Sequence, residues 1–138
     1  LAAEQQAAFG YSLLGPRLSG PDQQLAVSCS DDHETRRDAT AAAIAGAQLR
    51  PVAPKADYPA LYPVSDAAAA RALAVRLEDD CAVAWRYLYL QAASATGARP
   101  RALRATAQEA LTASAVRATR WRALSTPGKA TTAFPGIT

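Results

Sequence analysis

Four prolines fall within the seventeen residues Leu49–Ser65, at Pro51, Pro54, Pro59 and Pro63. Proline has no backbone N–H, and its ring clashes with the preceding helical turn, so this stretch cannot be helix throughout. It reads as a long, stiff connection carrying Tyr58, Leu61 and Tyr62 as apolar anchors. On each side of it lie two stretches with the i, i+3/i+4 periodicity of amphipathic helices. Helix 1 spans Leu1 to about Leu14, with Leu1, Glu4, Ala8 and Tyr11 on one face, and stops at Gly15-Pro16. Helix 2 runs from about Asp22 to about Gln48, with Pro21 suited to its first turn. Helix 3 begins at the cap candidates Ser65 or Asp66, runs to about Ala95, and is closed by Thr96-Gly97. Helix 4 covers about Pro100 to Leu124.

Short turns make antiparallel neighbours, and one long central crossover is the connectivity of ferritin-like four-helix bundles. The expected fold is therefore all-α: a single ferritin-like helical domain over residues 1–138, with one long crossover between helices 2 and 3. The tail 125–138 is expected as an extended strap packed over the bundle. Alanine, the strongest helix former, makes up about a quarter of the chain and agrees with this reading.

Composition excludes several classes of function. No apolar run approaches the ~20 residues that span a bilayer, so no membrane insertion is expected. The net charge is +3. Arg99, Arg101, Arg104, Arg117, Arg120 and Arg122 do not share one helix face, so the concentrated basic stripe of a nucleic-acid binder is missing. Cys29 and Cys81 each sit in an apolar helical stripe outside any C-x-x-C pair, as buried thiols of a reducing compartment do. No leader peptide is visible, and the lack of an initiating methionine implies a native N-terminus upstream of Leu1. A single histidine on a buried helix face cannot build a Ser–His–Asp triad, and no phosphate-binding glycine loop occurs.

Several segments carry a family resemblance: Glu4–Tyr11 (EQQAAFGY), His33–Asp38 (HETRRD), Leu73–Trp85 (LAVRLEDDCAVAW), Ala118–Arg122 (ATRWR) and Thr131–Gly136 (TTAFPG). Together they resemble the ferritin-like domain family of unknown function found in high-GC Gram-positive bacteria. The resemblance covers nearly the whole chain. It implies a ferritin-like bundle and a cytoplasmic location, and it supplies no reaction.

A ferritin-type dinuclear centre would need a Glu from each of two helices and a Glu-x-x-His pair from each of the other two. Glu4 falls within the inward stripe of helix 1. His33, the only histidine, shares its direction with Ala26, Cys29, Thr40, Ile44 and Ala47, but Ser30 stands three residues before it, so that pair is absent. On helix 3 the stripe centres on Leu73, Leu77, Cys81, Ala84 and Leu88, and Glu78 lies about 80° from that centre at ~100° per residue. On helix 4 the stripe is Leu103, Ala107, Ala110, Ser114, Ala118 and Trp121. Glu109 points away from it, and Thr112 stands where a second histidine would.

The first reading is a non-catalytic helical protein with no cofactor. In it Glu4, His33, Arg37, Glu78 and Arg117 form a buried polar cluster, the structural remnant of a degenerate di-iron site. Arg37 suits a salt bridge to Glu4 or Glu78. The second reading is a metal-binding protein or oxidase holding one Fe, Mn or Zn ion at Glu4, His33 and Glu78. The third is a small-ligand or protein-binding module with a cavity near Tyr11, Trp85 and Trp121. Helix 3 carries a further signal, since Val75, Val83 and Leu90 lie opposite its main stripe, with Tyr87 and Tyr89 at the shoulders. A helix apolar on two sides is buried on two sides, and a homodimer through helix 3 is the expected partner arrangement.

Overall fold

The alanine-rich stretches form helices whose ends are set by local chemistry. A computed structural model of the chain describes residues 1–137. Four long helices appear: α1 (Ala2–Leu14), α2 (Gly20–Gly46), α3 (Ala67–Ala93) and α4 (Ala98–Ser125). Short 3-10 turns lie at Gly15–Arg17, Pro59–Leu61 and Pro127–Lys129. Among the described residues there is no strand, and no helix is long and apolar enough to cross a membrane.

The helix starts show why these residues end where they do. Pro21 occupies the first turn of α2, where its missing N–H costs no hydrogen bond. At the start of α3 it is Asp66 that caps: its Oδ1 accepts from the Ala69 N–H at 2.8 Å, and its own carbonyl accepts from Ala70. Gly97, with φ 111°, makes the tight joint between α3 and α4 that a side chain would strain.

The chain divides into two compact units, Leu1–Leu77 and Glu78–Thr138, with the boundary inside α3. In the first unit α1 packs on α2. Gly10 of α1 meets α3 so closely that a Cβ there would stand 2.5 Å from Leu77 Cδ1. Arg71 of α3 bonds Asp22 of α2 at 2.6 Å. The proline-rich residues 47–66 are fastened by their own anchors. Tyr58, Leu61 and Val64 are buried, and Tyr58 packs its ring 5.1 Å from that of Phe9. The Gln5 side-chain amide donates to the Val52 carbonyl at 2.9 Å. Arg76 donates to the Ala60 carbonyl at 2.9 Å.

In the second unit the end of α3 is joined to α4 by Arg104, whose guanidinium donates to the carbonyls of Ala92 and Ala95 at 2.8 and 3.2 Å. The Ala92 carbonyl is an orphan of the α3 C-terminus, which a cation satisfies well. Residues 126–137 are less extended than a strap: a 3-10 turn is followed by a bend at Ala133–Gly136. Thr138, the last residue of the expected strap, lies outside the described residues.

The helix boundaries differ from the periodic reading by one or two residues. One face differs more. Ala84 is exposed and Leu88 only half-buried, whereas Ala74, Glu78, Ala82 and Trp85 are buried. The inward face of α3 is thus rotated toward Glu78. Leu103 of α4, placed in the apolar stripe by spacing, is 37 % exposed.

The cap at Asp66 gives a pH-dependent prediction. The Ala69 N–H, then the Ser65 hydroxyl, hold its carboxyl below the usual aspartate range. A carboxyl lowered in the folded state adds stability above its unfolded value, about 3.9. That stability is lost as the pH falls through the folded value. Asp66→Ala should therefore lower the melting temperature at neutral pH, and the gap from wild type should narrow in acid. A gap that stays constant down to about pH 2.5 would contradict the cap's role.

Candidate functional site: buried ion pairs

Glu4 and His33 come together in the first unit. Glu4 lies in the first turn of α1, where a carboxylate also suits the positive end of the helix. His33 sits on the narrow buried face of α2 with Ala26 and Cys29. His33 Nδ1 and Glu4 Oε2 are 2.7 Å apart, with side chains 0 and 1 % exposed. The Tyr11 ring stacks on the imidazole at 5.3 Å between centroids and 28° between planes. The contact length is that of a charge-assisted hydrogen bond. A carboxylate taken fully out of water needs such a partner.

Glu78 and Arg117 come together in the second unit. Glu78 is 0 % exposed, and Arg117 Nε donates to its Oε1 at 2.8 Å. Arg117 also donates from Nη2 to Ser114 Oγ, one turn back on α4, at 3.3 Å. The planar guanidinium and two acceptors fix the arginine head in one orientation. One position on, Arg122 Nη2 meets both carboxylate oxygens of Asp79 at 2.6 and 2.5 Å. Spacing alone does not reveal the Asp79–Arg122 pair, because both residues flank their stripes and are part-exposed. Asp22–Arg71 escaped the periodic reading for the same reason.

Arg37 sits at the edge of α2, with its side chain 33 % exposed, and its Nε donates to Asp38 Oδ1 at 2.7 Å. The expectation that it pairs with Glu4 or Glu78 gives way to this neighbour, which is next to it in sequence and needs no burial of either charge. The hydrogen bond to Asp38 raises the Arg37 guanidinium above its ordinary value and lowers the Asp38 carboxyl below its own. Glu109 is exposed. Tyr11, Trp85 and Trp121 are all buried, and Cys29 and Cys81 are buried thiols. An open groove runs along α2 past Gln23, Gln24, Val27, Ser28, Asp31 and Asp32, and none of the three aromatics lines it.

These features define an all-α protein of four long helices in which the buried carboxylates Glu4 and Glu78 contact His33 and Arg117. The chain belongs to the DUF4439 family, a domain of unknown function that matches residues 1–138. It is similar to a conserved hypothetical protein, rv2844, from Mycobacterium tuberculosis. That crystal structure shares 35 % identity and a TM-score of 0.76, over 89 % of each chain. No curated protein matches.

The pair at Glu78 yields a stability prediction. Removing one partner of a buried ion pair leaves an uncompensated charge, at a cost of about 3–5 kcal/mol. Arg117→Met should lose that much in urea unfolding. Glu109→Ala, at an exposed site, should stay within about 0.5 kcal/mol of wild type. An Arg117→Met loss no larger than that of Glu109→Ala would contradict the pairing.

Proposed function

We propose that this is a ferritin-like helical protein in which the ancestral metal chemistry has been replaced by structural ion pairs. The connectivity supports the ferritin-like reading. Four long helices are joined by two short connections, at 15–19 and 94–97, and by one long one, at 47–66. One long connection among short ones is the ferritin-like pattern.

The observation that carries the loss of metal chemistry is the Arg117 guanidinium, 2.8 Å from the carboxylate of the buried Glu78. A di-iron centre uses such carboxylates as bridging ligands, and the positive charge they would face is here a fixed guanidinium. The remaining donors do not make up the set. The chain has a single histidine, and Glu109 is exposed. A dinuclear centre therefore does not fit these residues, and Glu4, His33, Glu78 and Arg117 serve to hold the interior in one arrangement.

One observation favours a second reading. A histidine whose Nδ1–H is held by a carboxylate, as His33 is by Glu4 in that tautomer, has the orientation and raised basicity of a metal ligand through Nε2. A single Fe, Mn or Zn ion is the cofactor this alternative requires.

Metal content separates the two readings. Protein produced in medium supplemented with iron, manganese and zinc should carry far less than stoichiometric metal by inductively coupled plasma mass spectrometry. Stoichiometric metal that is lost in His33→Ala would overturn the structural reading and establish the second.

A further inference from the structure

The second unit carries an apolar surface that its own chain builds and leaves open. Val83, Tyr87 and Leu90 follow one another at i, i+4 and i+7, on one side of α3. Val83 is half-buried, while Tyr87 and Leu90 are 65 and 46 % exposed. The tail brings more apolar surface to the same helix. Phe134-Pro135-Gly136-Ile137 closes a turn in which the Ile137 N–H donates to the Phe134 carbonyl at 3.2 Å. Proline and then glycine in the central positions, with Gly136 at φ 77°, are the signature of a type II turn.

Gly136 seats this turn on α3. A Cβ there would stand 2.8 Å from the Ala82 carbonyl oxygen and 3.1 Å from Arg86 Cβ. Only glycine allows both the backbone angle and the close approach. With Gly136 held against Ala82 and Arg86, the turn flanks the Val83–Tyr87–Leu90 side of the helix. Yet its two large side chains, Phe134 and Ile137, remain 70 and 55 % exposed.

We infer that this surface, the outer side of α3 together with the Phe134–Ile137 turn, is the interface of a two-fold symmetric homodimer. The size of the surface carries the inference. With ~150–250 Å² for a large side chain, the exposed fractions of Tyr87, Leu90, Phe134 and Ile137 together leave roughly 350–590 Å² open. A standard interface takes about 800 Å² from each partner. About 56–65 % of that is apolar, or about 450–520 Å², which falls within that range. The patch therefore has the apolar content of one partner's share. Two aromatics stand in it, the residue type that anchors interfaces. A two-fold dimer uses one patch twice and asks for no second complementary surface on the molecule. The dimer is independent of the metal question, because none of its residues belongs to either buried ion pair.

Mass measurement tests it. The 14.4 kDa chain should run as a dimer of about 29 kDa by light scattering and sedimentation equilibrium at micromolar concentration. The double variant Tyr87→Ser/Phe134→Ser should self-associate at least about thirtyfold more weakly, the size of a hot-spot loss, with unchanged helical circular dichroism. Leu49→Ser changes an equally exposed leucine in the first unit and should leave the dimer intact. A wild-type monomer would overturn the proposal. So would a dimer that survives Tyr87→Ser/Phe134→Ser, or one that Leu49→Ser dissociates.

Discussion

A carboxylate with no exposure to solvent has to find positive charge or several donors inside the protein, because the cost of burying it alone exceeds what a small domain can supply. Among the described residues, two carboxylates are in that position, Glu4 and Glu78. Each is met from a different helix, Glu4 by His33 of α2 and Glu78 by Arg117 of α4. The requirement reaches into the helices themselves. It sets the rotation of α3 that buries Glu78, and it draws Arg117 to 5 % exposure, where arginine is rarely found unless paired. It also holds α2, most of which is open to solvent, to α1 through its one fully buried polar residue.

Such pairs specify more than they stabilise. A buried ion pair gains little over a well-packed apolar pair, yet breaking one partner is expensive. On the proposed structural reading, Glu4–His33 and Glu78–Arg117 act as registry devices that penalise alternative packings of largely alanine helices, whose small side chains give few other cues. Alanine faces slide easily. A charge that must meet one particular partner does not. The exposed pair Arg37–Asp38 has no such role, since solvent screens it.

The four helices were legible because proline, glycine and the apolar period all bear on the same boundaries. Pro16, Pro21, the Leu49–Ser65 prolines and Gly97 each act within a few residues of their own position, so reading them requires no tertiary knowledge. The cap at Asp66 was legible for the same reason. The rotation of α3 was not. Periodicity weights Leu88 and Ala84 as inward and Glu78 as a flank residue, whereas burial follows what the facing elements offer, and Arg117 offers a charge. Arg37 was misplaced because a sequence adjacent to Asp38 supplies a cheaper partner than any core carboxylate. The type II turn at Phe134–Ile137 did have a signal, the Pro-Gly pair at its centre, but its seating on Ala82 depends on a tertiary approach that no local pattern announces.

On the proposed reading, the buried Glu78 carboxylate is balanced by the Arg117 guanidinium rather than by a bound cation. A double-mutant cycle on Glu78→Gln and Arg117→Met, run once with chelator and once with added iron, manganese and zinc, addresses this directly. The coupling energy should be about 2 kcal/mol or more, the size found for hydrogen-bonded partners in one network, and the same in both conditions. No measurable coupling, or a coupling that appears only when metal is removed, would contradict it.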